Sequence, residues 1–216
     1  LREELAARGH VFATHSDTEV ILRGYVEWQG GVLRRLDGMF AFAIWDRDSR
    51  TLFAARDRVG IKPLFYSAQQ GFSLASTLAP FFRFDGFPCQ LDYEALRDFL
   101  AFQTVLAPAS FLKQVRQLPP ASWLTYHAPS RRLSVERYWT IPAAAETHPP
   151  GTEELAREFD ALLQDSVRSQ LVSDVPLGAF LSGGIDSSLM VHYMAGAGAK
   201  PLRTFSMRFG EAEYDE

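Results

Sequence analysis

The residues best suited to chemistry form one short run rich in glycine, hydroxyl groups and carboxylate, Leu181-Ser182-Gly183-Gly184-Ile185-Asp186-Ser187-Ser188. The apolar run before it, Val175 to Leu181, predicts a strand, and the apolar run Ser187 to Met194 predicts a helix. The glycines therefore fall at a strand-to-helix turn. Backbone N–H groups at such a turn, together with the helix dipole, favour an anion.

Each residue type in this run suits a nucleotide bound with a metal. Gly183 and Gly184 let the backbone approach phosphate closely, while Ser182 and Ser187 can add hydroxyl donors. A carboxylate at Asp186 would be repelled by bare phosphate, so it predicts a Mg²⁺ ion that bridges phosphate oxygens. The run therefore predicts a metal–nucleotide site.

Other phosphate-binding motifs do not fit this run. It lacks the lysine of the G-x-x-x-x-G-K-[ST] loop and the spacing of G-x-G-x-x-G, which excludes the kinase and dehydrogenase interpretations. From the residues alone, an ordinary Ser/Gly/Asp turn before a helix stays open as the alternative.

The elements before this run predict a separate α+β region. Helical patterns occupy Leu1 to Arg8, a stretch beginning near Asp17 after a Ser16-x-x-Glu19 capping box, and Asp92 to Ala101. Short apolar runs between turn residues predict an antiparallel sheet. Its strands are expected at Met39 to Trp45, Thr51 to Ala55, Leu64 to Ser67, Phe72 to Ala75, Ser122 to Tyr126 and Arg137 to Trp139.

A change of composition predicts two domains. Residues 141–151 are rich in Pro and Ala without periodicity, which is typical of a linker between residues 1–140 and 152–216. After it, an apolar stripe predicts an amphipathic helix from Thr152 to Leu171 that packs in the ordinary way, and Thr204 to Phe209 predicts a further strand. So few residues predict only the start of a parallel-sheet domain.

The composition excludes several classes of partner. A formal charge of -4 offers no cationic surplus for nucleic acid or an anionic membrane, and no long apolar run predicts a membrane span. The single cysteine, Cys89, excludes an internal disulfide framework and favours the cytoplasm. The start, Leu1-Arg2-Glu3-Glu4, resembles neither an initiator methionine nor a signal peptide, so we expect the chain to begin inside a longer protein.

The glycine run resembles the S-G-G-x-D-S pyrophosphate loop of the ATP pyrophosphatase superfamily, and the preceding Val175-Pro176-Leu177-Gly178-Ala179-Phe180 resembles its asparagine synthetase branch. Blocks in the first domain resemble the class-II glutaminase domain of the same family. They are Ser16 to Glu19, Met39 to Trp45, Ala55 to Tyr66 and Gln117 to Pro120, and Tyr214-Asp215-Glu216 extends the match.

The resemblance implies a fold and an activity. The fold would be the C-terminal part of an antiparallel-sheet, Ntn-type glutaminase domain, followed by the start of a parallel-sheet ATP pyrophosphatase domain of the adenine nucleotide α-hydrolase type. The activity would be that of an ATP- and Mg²⁺-dependent ligase with glutamine and aspartate as substrates. It would release ammonia from glutamine, form β-aspartyl-AMP, and yield asparagine, AMP and pyrophosphate. A homodimer is left open.

The resemblance also implies roles for individual residues. Asp17 would hold the α-amino group of glutamine, although favourable charge at a helix N-terminus is its plain interpretation. Ser182, Gly183, Gly184 and Ser187 would hold pyrophosphate, and Asp186 would hold Mg²⁺. Two apolar residues would line the adenine nucleotide pocket, for which core packing is the alternative. They are Leu181 and Met207.

The chain departs from the family at the nucleophile. The family uses an N-terminal cysteine with a free amine, whereas Cys89 lies inside the chain, so we expect an inert thiol with the usual burial of cysteine and no turnover by this stretch alone. Two alternatives therefore stay open. One is a β-lactam synthetase-like or other carboxylate amidotransferase, and the other is a non-catalytic nucleotide-binding relative.

Overall fold

The computed structural model of the chain describes residues 1–143, 151–198 and 201–207. The chain divides into two compact units, Leu1–Ala143 and Ala144–Glu216. Most of the expected linker, the end of the strand expected at Thr204 to Phe209, and Tyr214 to Glu216 lie outside the described residues. None of the helices in the described ranges is long and apolar enough to cross a membrane.

The first unit contains three α-helices and seven strands. The helices are α1 (Arg2–Ala7), α2 (Asp17–Trp28) and α3 (Tyr93–Phe102). The strands are β1 (Ala41–Asp46), β2 (Thr51–Arg56), β3 (Phe65–Ser67), β4 (Ser73–Ala75), β5 (Arg116–Gln117), β6 (Ser122–His127) and β7 (Arg132–Arg137). The 3₁₀ segments Gln29–Arg34 and Ala79–Arg83 complete it.

The strands form two antiparallel sheets, where the sequence pattern predicts one. The larger has the order β1-β2-β6-β7 and the smaller the order β4-β3-β5. The last strand was expected at Arg137 to Trp139, and this is wrong because pairing with β6 ends at Arg137. Tyr138 then leaves the ladder, since its backbone N–H donates to the carbonyl of Ala121 and its hydroxyl to that of Arg56, each with a length of 2.8–2.9 Å.

Strand β2 lies at the centre of the core because both of its faces are buried. Ala54 belongs to a cluster with Leu64 of the loop before β3, whereas its neighbour Phe53 packs with Val32 and Leu33 of the first 3₁₀ segment. Successive side chains of a strand point to opposite faces, so the larger sheet is covered on both sides at this strand. This layering fixes the ends of β1 and β2, where the first candidate site lies.

The second unit contains α4 (Thr152–Ser169), β8 (Gly178–Phe180), α5 (Ile185–Gly196) and β9 (Arg203–Phe205). Strands β8 and β9 pair in parallel, with Phe180 opposite Phe205, and the β-loop-α order expected around the glycines is present. A larger parallel-sheet domain stays a prediction.

The apolar stripe of α4 is less buried than predicted. Val167 is buried, but Phe159 and Leu162 are 61% and 64% exposed. Near its middle the helix meets α5 through a hydrogen bond from the Tyr193 hydroxyl to the Asp160 carboxylate, which raises the pKa of Tyr193. Among the described residues of this unit, the expectation of ordinary packing is therefore confirmed for Val167 but not for Phe159 and Leu162.

Candidate functional site

The first site is built at the start of α2. Ser16 is the N-cap, in extended conformation, and its Oγ accepts a hydrogen bond from the Thr18 N–H at 3.2 Å. The predicted capping box is wrong in its second half, because the Ser16 N–H donates to Thr14 Oγ1 at 3.3 Å. The Glu19 carboxylate instead accepts hydrogen bonds from the Ala13 N–H, the Thr14 N–H and the Thr14 hydroxyl in the preceding turn. This turn offers three donors, whereas the N-cap backbone offers one.

Asp17, the first residue of α2, carries an exposed carboxylate. Its Oδ1 accepts a hydrogen bond from the Thr18 N–H at 2.7 Å and lies 3.4 Å from the Ser16 hydroxyl. Within the described ranges, no hydrogen bond is formed by its Oδ2. One carboxylate oxygen is therefore left for a cationic group, such as an amine.

Asp17 lines a cavity of about 340 Å³. The remaining wall comes from the first turns of α2, from the residues at and just before the start of β1, from the loop before β3, and from the residue that follows β4. These lining residues are Thr18, Ile21, Met39, Phe40, Ala41, Phe42, Lys62, Pro63 and Ser76. Acidic Asp17 and basic Lys62 thus share a mainly apolar cavity, which suits a small ligand that carries both charges.

The loop of residues 57–63, which supplies Lys62 and Pro63, is tied to the core by Arg56. This arginine is 7% exposed, and its guanidinium donates to three backbone carbonyls, those of Gly60, Lys62 and Leu118, at 2.6, 2.7 and 2.7 Å. Burial lowers the pKa of Arg56, and the charge of Asp57 opposes that effect. The three bonds fix the loop against the segment that leads into β6.

Asp57 holds the same loop from its inner side. The carboxylate is 1% exposed and accepts from the N–H groups of Val59, Ile61 and Lys62 at 3.3, 2.9 and 2.9 Å. The strand pattern of the sequence did not predict this role for Arg56 and Asp57. An Arg-Asp pair at the end of a strand, followed within a few residues by a glycine, is the signal that could have revealed it, and Gly60 indeed has a positive φ of 72°.

The second site is the glycine run, which the structure places between β8 and α5. Gly183 has a φ of 92°, and Gly184 is the N-cap of α5 with no side-chain capping hydrogen bond. The hydroxyls of Ser182 and Ser187 lie 3.2 Å apart, and Ser187 Oγ also donates to the Gly184 carbonyl at 3.1 Å. As far as the described residues of this unit show, the first N–H groups of α5 therefore remain open to an anion.

The other two residues predicted to contact the nucleotide follow the ends of β8 and β9. Leu181 follows β8 and its N–H donates to the Phe205 carbonyl of β9 at 2.9 Å, while Met207 lies two residues beyond β9. Because β8 and β9 are parallel, both residues lie at the carboxyl ends of the strands, where ligands bind in open α/β sheets. Met207 is 75% exposed, so core packing does not account for it in the described part of the unit.

Asp186 lies in the first turn of α5 and is exposed. In residues 1–143, 151–198 and 201–207, no group of three or more His, Cys, Asp or Glu side chains could hold a metal by itself. A lone carboxylate beside an open helix N-terminus fits a Mg²⁺ ion whose other ligands are phosphate oxygens and water, which is how Mg²⁺ commonly binds with nucleotides.

Cys89 belongs to neither site. It is exposed, contrary to the expected burial, and it is not among the residues that line the cavity beside Asp17.

Comparison with known proteins adds two family matches in one chain. Residues 1–139 match the family model of the glutamine amidotransferase domain, and residues 158–216 match that of asparagine synthase. Asparagine synthetase [glutamine-hydrolyzing] 3 of Bacillus subtilis is 38% identical over 98% of this chain and 35% of its own length. Asparagine synthetase [glutamine-hydrolyzing] 1 of the same organism is 37% identical over 100% of this chain and 34% of its own.

The chain thus spans about a third of the length of these curated relatives. Among solved structures, the chain resembles a glutamine phosphoribosylpyrophosphate amidotransferase from B. subtilis complexed with ADP and GMP. The alignment covers 100% of this chain and 45% of the amidotransferase chain. Its identity is 16% and its TM-score 0.43, a likeness that supports no argument about fold or function.

Proposed function

Because the chain belongs to the glutamine amidotransferase family over residues 1–139 and matches asparagine synthase over residues 158–216, we propose that the full-length protein is a glutamine-dependent asparagine synthetase. It would be an ATP-dependent carbon–nitrogen ligase of asparagine biosynthesis. The observation that carries this proposal is the presence of both matches in one chain, in this order. The near-complete coverage by relatives named as glutamine-hydrolysing asparagine synthetases supports it.

The cavity beside Asp17 is proposed as the glutamine site. Asp17 Oδ2, which forms no hydrogen bond within the described residues, can accept a charge-assisted hydrogen bond from the α-amino group of glutamine. The cavity of about 340 Å³ has room for one amino acid. The loop held by Arg56 and Asp57 closes one wall and presents Lys62. The amide of glutamine would be hydrolysed to release ammonia, and no residue of this chain is assigned as the nucleophile.

The turn between β8 and α5 is proposed as the ATP site. Ser182, Gly183, Gly184 and Ser187 would bind the phosphates through open N–H groups and hydroxyls, and Leu181 and Met207 would contact the adenosine end. Aspartate would attack the α-phosphorus to form β-aspartyl-AMP with release of pyrophosphate. Ammonia would then displace AMP to give asparagine.

Asp186 is the residue proposed to hold Mg²⁺. When bound, this ion would offset the negative charge that develops on the phosphate oxygens. The chain itself contributes the Asp186 carboxylate at the start of α5. This carboxylate lies beside the N–H groups and hydroxyls that would bind the phosphates.

The domain division remains part of the proposal. Residues 1–140 would form the glutaminase part, 141–151 the linker, and 152–216 the start of an ATP pyrophosphatase-type domain with a parallel sheet. Glutamine and aspartate are the proposed small-molecule partners, with no nucleic acid or membrane partner, and the cytoplasm is the expected compartment.

Product identification tests the proposal directly. The full-length protein is supplied with ATP, Mg²⁺, aspartate and either glutamine or ammonium, and asparagine, AMP, pyrophosphate and glutamate are measured by mass spectrometry. Asparagine with AMP is the expected result. If aspartate stays untouched with either nitrogen source, another carboxylate is the acceptor, and ATP binding without pyrophosphate release would indicate a non-catalytic relative.

Asp186→Asn tests the metal-binding role in the same assay. We expect loss of AMP and pyrophosphate formation with glutamate release retained, because the two sites use different residues. Asp165→Asn, an exposed carboxylate on α4, is the matched control and should leave all four products unchanged. Normal asparagine formation by Asp186→Asn would remove Asp186 from the site.

A further inference from the structure

We propose that Glu19 and Arg2 are positioning residues for the glutamine site, because together they fix the segment Ala13–Ser16 from which Asp17 enters its cavity. This inference rests on the proposed function and deepens it. It assigns the affinity for glutamine partly to two side chains that are not among the lining residues of the cavity.

Glu19 acts as the inner anchor of this segment. Its Oε1 accepts from the Ala13 N–H at 3.0 Å, and its Oε2 accepts from the Thr14 N–H and the Thr14 hydroxyl, both at 2.7 Å. The side chain is 13% exposed, so these bonds replace most of its contact with water. Charge-assisted hydrogen bonds of this length are among the stronger ones in proteins.

The hydrogen bonds to Glu19 also determine its pKa. The hydrogen bond from the Ala13 N–H, followed by those from Thr14, lowers the pKa of Glu19 to about 2. The ion pair with Arg23 of the next turn is longer, at 3.6 Å, and contributes less. The carboxylate is therefore engaged with the segment before α2 more than with its own helix.

Arg2 acts as the outer anchor. From α1, its guanidinium donates to the carbonyls of Thr14 and Ser16 at 2.8 and 2.9 Å, and it also lies 4.4 Å from the centre of the Phe12 ring. Its partners are 12 and 14 residues away in sequence, so these bonds join α1 to the entry of α2.

The two anchors meet at Thr14, whose hydroxyl completes the path to Asp17. Thr14 Oγ1 donates to Glu19 and accepts from the Ser16 N–H, and Ser16 is the N-cap whose extended backbone sets where Asp17 begins the helix. The links from Arg2 and Glu19 to Asp17 therefore run through hydrogen bonds to the backbone and hydroxyl of Thr14 and to the backbone of Ser16. A shift of the segment moves the carboxylate that would hold the α-amino group.

Glu19→Gln in the full-length protein tests this inference. The new amide keeps one acceptor but places an NH₂ group against backbone donors, so the segment loses its anchor while α2 keeps a good helix former. We expect the KM for glutamine in glutamate release to rise about tenfold, roughly what 1.4 kcal/mol of lost binding gives. The kcat at saturating glutamine and the ammonium-dependent synthesis of asparagine should stay within about twofold.

A second variant and a control distinguish a loss of positioning from a nonspecific effect of substitution. Thr14→Val removes the hydroxyl that links Glu19 to Ser16 but leaves both backbone N–H donors, so a smaller rise of KM, about threefold, is expected. Glu3→Gln, in the first turn of α1, changes an acidic residue outside this network and should leave KM unchanged.

The possible results separate the two proposals. If the wild-type protein releases no glutamate from glutamine, the proposed function fails and the inference fails with it. If the wild type is active and Glu19→Gln keeps its KM, or loses kcat at constant KM, only the inference is overturned, since a merely structural defect lowers the amount of active enzyme. Should Glu19→Gln not fold, Thr14→Val decides by the same criterion.

Discussion

Replacement of Asp57 by asparagine is the sharpest test of how the wall of the cavity beside Asp17 is held. Asp57 is 1% exposed and accepts three backbone N–H groups from the loop of residues 57–63, through both carboxylate oxygens. In Asp57→Asn the amide can accept at only one of these positions. Its NH₂ group must then face a backbone donor.

Two opposing effects set the magnitude. The neutral amide removes the cost of burying a charge, but it leaves at least one N–H unsatisfied and deprives the buried Arg56 of its neighbouring negative charge. An unsatisfied buried donor costs about 1–3 kcal/mol. Arg56 and Asp57 are bonded to the backbone and not to each other, so the lost attraction between their charges adds little to this cost. We therefore expect a net loss of about 1–3 kcal/mol, which for a domain of this size lowers Tm by roughly 3–12 °C.

Tryptophan fluorescence measures this loss in the first unit alone, because the chain's 4 tryptophans all precede the boundary at Ala143. Urea unfolding gives the change in free energy, and a thermal scan gives Tm. Asp48→Asn, an exposed aspartate in the turn between β1 and β2, is the matched control and should change stability by less than about 0.5 kcal/mol. An Asp57→Asn variant as stable as this control would refute the reasoning and leave the loop to Arg56 alone.

Two further predictions concern the first unit. Gly30→Ala should destabilise it by about 1–3 kcal/mol in the same unfolding assay, because a Cβ at this position would overlap the ring of Trp123, and a wild-type Tm would contradict this packing. Because the folded pKa of Glu19 is about 2 and its ordinary value is 4.5, its contribution to stability is complete above about pH 4.5 and is lost as pH falls toward 2. The amide resonances of Ala13 and Thr14 should therefore shift with an apparent pKa near 2, and a midpoint near 4.5 would show that these hydrogen bonds do not form in solution.

Local signals made the helices predictable. Ser16 marks the start of α2, Asp92 caps α3 by accepting from the Glu94 and Ala95 N–H groups, and the apolar period located α4 to within two residues. Each signal depends only on residues within one or two helical turns, so contacts with the rest of the fold did not change these helices. The resemblance to asparagine synthetases, read from short blocks in order, is confirmed by the family matches and by the relatives.

The contacts that shape the first site were not predictable because their partners are distant in sequence. Arg56 reaches a carbonyl 62 residues away, and the division into two sheets depends on pairing between β3 and β5, which no local pattern encodes. Glu19 shows the same limit at short range, since its capping-box spacing was correct but the turn at Ala13 and Thr14 competed for its carboxylate. The ligand roles of Asp17 and of residues 181–187 remain predictions.

The order of strands in the larger sheet has a consequence for the time course of folding. Strands β1 and β2 form one hairpin and β6 and β7 another, but the pairing of β2 with β6 joins segments separated by the whole of the smaller sheet and α3. Such non-local pairing requires a long loop to close before its contacts contribute, which slows folding. During synthesis, one edge of β2 therefore stays unpaired until β6 has emerged from the ribosome. The hydrogen bond from Arg56 to the Leu118 carbonyl also forms only at that late stage.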